Sequence, residues 1–259
     1  MKTLIPIVIG LLVAGCGKPL ISNPVVEKAI RGQISKPKGK LTEADLEKVT
    51  ILDLRSNKLT DVTGLEKLTK LEELYLGDNQ LTNVKGLEKL TQLKKLSLTL
   101  NQLTSVKGLE NLTQLKQLNL QSNELTDVKG VEKLTQLRSL TLFNNQLTEV
   151  KGLEKLTKLT ALHLNDNKLT EVKGLEKLTK LFFLDLRKNQ LTEVKGLGKL
   201  TQLTYLRFGG NQLTEVPKVL EKLTKLKELS LENNPALTKA QIDELQKALP
   251  KCRIKHNAK

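Results

Sequence analysis

The chain has 259 residues and a formal net charge of +15, with 27% charged residues, 2% aromatics and no tryptophan. So few rings could not fill the core of a compact ball of this length, whereas layers stacked on leucine and valine need none. Two cysteines in unlike contexts, Cys16 and Cys252, exclude a disulfide framework, and the basic excess raises a nucleic-acid question that the placement of the lysines answers.

Met1-Lys2-Thr3 supplies a short positive start, and Leu4 to Val13 is an apolar run too brief for a membrane-spanning helix, which needs about 20 residues. This pattern predicts a cleaved export signal. It ends in Leu12-Val13-Ala14-Gly15-Cys16, which resembles the lipobox of bacterial lipoproteins: small residues before an obligatory cysteine. The resemblance implies a signal peptide at 1–15, cleavage before Cys16 and a diacylglyceryl group on its thiol. The alternative is an ordinary signal peptide with an incidental cysteine. One acyl chain holds a protein marginally, and two or more anchor it stably. Gly17 stands where family members retained at the inner membrane in some bacteria carry Asp, so in a Gram-negative cell the resemblance leans toward the outer membrane. The segment 16–23 is then a lipidated tether, whose seven residues after Cys16 hold the body within about 25 Å of the anchor.

Residues 24–48 read as an N-terminal helical cap. Asn23 before Pro24 starts a helix with Val25, Val26, Ala29 and Ile30 on one face up to Gly32. After Lys36-Pro37-Lys38-Gly39-Lys40 comes Thr42-Glu43-Ala44-Asp45, a capping box leading to Leu46 and Val49. A stack of leucine layers needs such a polar-faced end.

From there a single unit recurs. The frame asparagine stands at Asn57, Asn79, Asn101, Asn123, Asn145, Asn167, Asn189 and Asn211, every step 22 residues. A fixed period of this length is the signature of a solenoid. In Leu74-Tyr75-Leu76 the period-two alternation turns the leucines inward and Glu73, Tyr75 and Gly77 outward, giving one parallel strand per unit. Asn79 and its equivalents enter the interior at a turn, where a ladder of bonds to neighbouring backbone would satisfy them; their expected role is structural. The return path, for example Leu147 to Thr157, has a fixed Gly and Leu at i and i+3, which suits a short 3₁₀ or α turn. One extra residue at Glu215-Val216-Pro217-Lys218 moves the ninth asparagine to Asn234.

The pattern LxxLxLxxNxLxxVxGLxxL, together with the entry segment KPKGKLTEADLEKVTILDL, resembles the 22-residue leucine-rich repeats of bacterial internalin-like surface proteins. The resemblance implies an α/β solenoid: a right-handed superhelix with a parallel concave sheet, short 3₁₀/α turns on the convex side, and helical caps. The repeats should span 49–234. Residues 235–259 form a C-terminal cap, in which Thr238 to Gln241 opens a helix with Ile242, Leu245 and Leu249 on one face. Leu249-x-x-Cys252-x-Ile254 then repeats the frame for a final strand, placing Cys252 in an inward leucine position as a buried thiol.

The outward strand positions vary most from unit to unit, and they carry four of the six aromatics: Tyr75, Phe143, Phe183 and Tyr205. Phe143, Phe183 and Tyr205 fall within four adjacent strands, about 14 Å across, with Arg187 and Arg207 beside them. Exposed rings and arginines together have the composition of a binding hot spot. Thr141, His163 and Asp185 occupy equivalent places on successive strands about 5 Å apart, but an open sheet offers no oxyanion donors and no pocket, so His163 and Asp185 read as contact residues rather than as catalysts.

The concave positions hold four Lys/Arg and five Asp/Glu, while Lys85, Lys107, Lys129, Lys151, Lys173 and Lys195 form one crossover-side column and Lys67, Lys89, Lys133, Lys155, Lys177 and Lys199 a second. Such columns follow from duplication of one unit. No metal-ligand spacing, phosphate loop or cofactor motif is present, and export with a neutral concave face argues against nucleic acid. The expectation is a non-catalytic monomer, lipid-anchored in the bacterial cell envelope, that binds a protein through Tyr75, Phe143, His163, Phe183, Asp185, Arg187, Tyr205 and Arg207. The alternatives are a glycan-binding adhesin stacking sugars on Phe143, Phe183 and Tyr205, and contact of the lysine-rich convex face with anionic lipid or polysaccharide.

Overall fold

A computed structural model describes residues 19–259; the expected export signal at 1–15, Cys16 and the first part of the expected tether lie outside the described residues. Ten three-residue strands form one parallel sheet in chain order. They are β1 (Ile51–Asp53), β2 (Glu73–Tyr75), β3 (Lys95–Ser97), β4 (Gln117–Asn119), β5 (Ser139–Thr141), β6 (Ala161–His163), β7 (Phe183–Asp185), β8 (Tyr205–Arg207), β9 (Glu228–Ser230) and β10 (Arg253–Lys255). The chain is an α/β solenoid. From β1 to β8 each strand pairs with the residue 22 places on, as in Leu140 with Leu162; the insertion at Pro217 makes the next step Tyr205 to Glu228.

The leucines and valines of the repeat frame face one continuous core from Leu52 to Leu231 and are almost wholly buried, except Val216 at the insertion, which is partly buried. Phe208 takes one inward leucine place, and Cys252 another at the C-terminal end, where burial pushes its thiol up to about 11. The caps use local hydrogen bonds. Asn23 Oδ1 accepts from the amides of Val25 and Val26 at the start of α1 (Pro24–Gln33), which runs through Gly32 for one residue more than the sequence suggests. Thr42 and Asp45 close a capping box on the single turn α2 (Glu43–Leu46), as Thr238 and Gln241 do on α3 (Lys239–Ala248). Among the described residues no helix is long and apolar enough to cross a membrane.

The frame asparagines form a ladder. Asn145 Oδ1 accepts from the Leu125 amide at 3.1 Å, and its Nδ2 donates to the Leu120 and Leu142 carbonyls, both at 3.0 Å. Leu142 O in turn also accepts from Asn167, one unit further on. Asn79 through Asn211 repeat this arrangement, each nearly buried, so the polar atoms of every turn are satisfied by the next.

On the return path the glycine at each turn adopts φ between +89° and +111°, a region that side chains disfavour, and 3₁₀ segments such as Leu153–Lys155 follow it. The glutamate two places after the glycine, Glu66 through Glu176, accepts the glycine amide; for Gly130 and Glu132 the distance is 2.7 Å. Backbone N–H groups, its own first and then that of Gly130, hold the Glu132 carboxyl below the ordinary range. These carboxylates are local turn caps. Nothing in the sequence period separates that role from an acidic neighbour of the lysines, because both recur every 22 residues.

Candidate functional site

The sheet presents its outward side chains in three rows: an entry row such as Phe183 and Tyr205, a middle row such as His163, Asp185 and Arg207, and an exit row such as Phe143, Arg187, Gly209 and Glu232. Strand register puts Phe183 beside Tyr205 and His163 beside Asp185. The Phe183 ring lies 4.6 Å from His163 on the β6 side, and the Arg207 guanidinium sits 5.3 Å from its centroid on the β8 side. Tyr205 is tilted against Phe183 at 6.4 Å. The pile is thus pre-packed, with geometry that favours ring–ring and cation–π attraction.

Beneath it Asp185 is buried, its side chain 2% exposed. It accepts from the Arg187 amide at 3.1 Å, from Nε at 2.9 Å and from Nη2 at 2.6 Å, and Arg207 approaches to 3.8 Å. The expectation that Asp185 meets a ligand is therefore corrected. Its carboxylate is consumed in orienting the two arginines, and it could not hold a ligand without releasing them. Arg207 also faces Glu228 at 3.8 Å, and Lys255 pairs with Glu228 at 3.0 Å.

Two further expected contacts stand apart. Phe143 lies in the exit row of β5, half-buried, while Phe183 and Tyr205 lie in the entry row of β7 and β8. Four residues of strand separate those rows, about 13 Å, so strand counting alone overstated the patch. Tyr75 belongs to a different cluster on β1 to β3, between the Arg55 guanidinium at 5.5 Å and Lys95 Nζ at 5.0 Å, with its hydroxyl donating to Glu73. Conversely, Phe182 is 45% exposed at the flank beside Phe183, where the neighbouring units have Thr160 and Thr204. Alternation from the outward Phe183 would turn Phe182 inward, so its exposure does not follow from the sequence pattern.

Thr141, His163 and Asp185 are register partners. They do not make a relay: Asp185 is bound to Arg187, and His163 packs on Phe183. Burial first, and then the charges of Arg207 and Arg187, hold the His163 imidazole below its ordinary pKa, against the opposing pull of Asp185. A base whose folded pKa is depressed contributes stability in its neutral form, present above the unfolded value near 6.5 and lost as pH falls through it. The urea midpoint should therefore drop between pH 7.5 and pH 5.5 by more in the wild type than in His163→Phe; equal drops would show that the imidazolium is not destabilised by its surroundings.

Residues 47–89, 91–133, 135–177 and 201–247 match the family profile described as Leucine Rich repeats (2 copies). Among curated proteins nothing matches. Among solved structures the chain is similar to an internalin C2 from Listeria monocytogenes, with 29% identity and a TM-score of 0.79 over 82% of this chain and 94% of that one. It is similar to an internalin of the same organism, inlF, in fold alone, with 23% identity and a TM-score of 0.50 over 92% of this chain and 91% of that one. It is also similar to the leucine-rich repeat ectodomain of the plant membrane receptor kinase GASSHO1/SCHENGEN3 from Arabidopsis thaliana, solved in complex with CASPARIAN STRIP INTEGRITY FACTOR 2. That match has 25% identity and a TM-score of 0.68 over 84% of this chain and 28% of that one. The repeated frame, the single parallel sheet and the family profile over most of its length show that the chain belongs to the leucine-rich repeat family.

Proposed function

We propose that the protein is a non-catalytic binding scaffold of the bacterial cell envelope, tethered by lipid on Cys16, that holds a protein ligand on the concave face over β6 to β9. The observation that carries this reading is Phe183 locked between His163 and Arg207, with exposed Tyr205 and Phe182 alongside. A pre-ordered aromatic and arginine cluster loses little conformational freedom on binding, which is what an interface anchor requires. The plant ectodomain bound to CASPARIAN STRIP INTEGRITY FACTOR 2 supports the class of partner.

The glycan reading is the weaker one, because His163 and Arg207 cover Phe183 from its two neighbouring strands and Phe143 is remote, which leaves, of the three rings that reading needs, only Tyr205 to stack a sugar. Contact through the lysine columns is weaker as well. Residues 41–238 carry 30 Lys/Arg against 25 Asp/Glu, so two-thirds of the positive excess resides in the terminal segments and not in the repeats. Lys129 and Lys195 also have acidic neighbours, Asp127 at 3.3 Å and Glu193 at 2.9 Å.

Photo-crosslinking in the native envelope, with a probe at Tyr205 and a control probe at Lys129, tests the reading. Tyr205 should trap a defined protein absent from the Lys129 sample, and Cys16→Ser should release the chain from the membrane fraction. Capture from Lys129 alone would transfer the function to the convex side, and membrane retention of the Cys16 variant would remove the lipid tether.

A further inference from the structure

We propose that a notch at the exit edge of the concave face, where Gly209 and Gly210 leave the sheet bare, receives the main chain of an extended segment of the protein ligand, with a peptide carbonyl against Arg187 and a peptide N–H against Glu232. This rests on the reading of the concave face as a protein-binding surface.

The two positions concerned are the exit-row residue and the residue after it. Across nine units they read Arg55-Ser56, Gly77-Asp78, Thr99-Leu100, Gln121-Ser122, Phe143-Asn144, Asn165-Asp166, Arg187-Lys188, Gly209-Gly210 and Glu232-Asn233. Only the eighth unit lacks both side chains. The result is a depression of about 520 Å³ walled by Asp166, Arg187 and Lys188 on one side and by Ser230, Glu232 and Asn233 on the other, within the size range of ligand sites. Paired glycines permit close approach of another backbone.

Half of the floor is already bonded: Gly209 O accepts from the Lys188 amide at 2.8 Å, and the Gly210 amide donates to Glu232 O at 2.8 Å, which leaves the Gly209 amide and the Gly210 carbonyl without a backbone partner among the described residues. The side-chain groups stand on the walls. Arg187 gives its amide, Nε and Nη2 to Asp185, which leaves Nη1 as a donor. Glu232 accepts from Ser230 through Oε2, which leaves Oε1 as an acceptor. The two residues stand two strand spacings apart, about 10 Å, across the bare unit, and among the described residues no ion pair joins them. Lys188 and Asp166 neutralise each other at 3.2 Å.

The notch therefore has a donor on one side, an acceptor on the other and balanced charge. A cationic or anionic group would meet its like charge on one wall, whereas the peptide group, with N–H and C=O pointing opposite ways, complements both. Tyr205 lies four residues up the same unit, about 13 Å, which four residues of extended ligand would span. One segment running along β8 would thus engage the aromatic pile and the notch together.

The test uses the full chain and a random dodecapeptide phage library, with the selected peptide synthesised for titration. Gly210→Asn fills the notch at little cost to the fold, because Asn144 and Asn233 hold the same place at φ +54° and +57°, Gly210 itself has φ +70°, and the added Cβ meets only Lys188, whose exposed side chain must give way slightly at 3.3 Å. The peptide should bind Gly210→Asn about tenfold more weakly than wild type at unchanged melting temperature. N-methylation of one peptide bond should cost a similar factor against wild type and little against Gly210→Asn. A peptide weakened by Phe183→Ala but not by Gly210→Asn removes the notch and leaves the concave site. A library that returns no peptide sensitive to Phe183→Ala removes both. Sensitivity to Gly210→Asn without any N-methylation effect would show that a side chain, not main chain, fills the notch, and would overturn the assignment.

Discussion

Asn145→Ala in the middle of the stack is expected to cost about 2–4 kcal/mol of stability. The substitution orphans the buried Leu125 amide outright, and it removes one of the two asparagine donors from each of the Leu120 and Leu142 carbonyls. An unsatisfied buried polar group costs about 1–3 kcal/mol, so the amide accounts for most of the loss and the weakened carbonyls for the rest. Asn57 is the control. It has the same place in the frame but stands exposed at the first turn, with one side-chain bond, Nδ2 to Arg55 O at 2.7 Å. Asn57→Ala should cost under about 1 kcal/mol. Urea unfolding of the two variants decides the matter: equal midpoints would mean that the asparagines are merely tolerated and that leucine packing alone holds the turns. Because each unit touches only its neighbours, amide exchange around Leu125 and Leu147 should quicken most.

Asp185→Ala is the second large effect. The Asp-Leu-Arg sequence occurs twice, as Asp53-Leu54-Arg55 on β1 and as Asp185-Leu186-Arg187 on β7, with the same forked pairing. Its surroundings differ. The Asp185 side chain is 2% exposed and its arginines are partly covered, whereas Asp53 and Arg55 are 49% and 60% exposed. Cutting the buried carboxylate leaves Arg187 and Arg207 as like charges beside Phe183, with only the 3.8 Å contact to Glu228 to offset Arg207. The loss is about 2–4 kcal/mol, discounted from the fully buried case because Arg187 can turn toward solvent. Asp53→Ala should move the unfolding midpoint far less, as exposed ion pairs contribute little. Asp185→Ala should also abolish crosslinking from Tyr205, since Arg207 is released from its place over Phe183. Crosslinking that persists at wild-type yield would show that the arginines do not order the pile.

The elements were largely legible in the chain. The frame Asn57 to Asn211 and the Leu-x-Leu alternation state the strands and their register directly, because a 22-residue period forces each unit to repeat the geometry of the last. The site was legible by row but not by environment. Phe183, Tyr205 and Arg207 could be placed on the outer face from alternation, yet neither the sandwiching of Phe183 nor the distance to Phe143 follows from it.

Duplication of one unit explains this division. Whatever recurs every 22 residues, namely the core leucines, the asparagine ladder, the crossover glycines and the lysine columns, is a local property that sequence alone determines. The departures from the repeat take their meaning from neighbours one unit away, 22 residues distant in the chain and about 5 Å distant in space. Only the stacked structure decides that Asp185 is a buried strut while Asp53 is a surface pair, that Phe182 is exposed, and that Gly209 and Gly210 open a notch between Arg187 and Glu232. Burial and pairing arise between layers, and no single layer's sequence contains them.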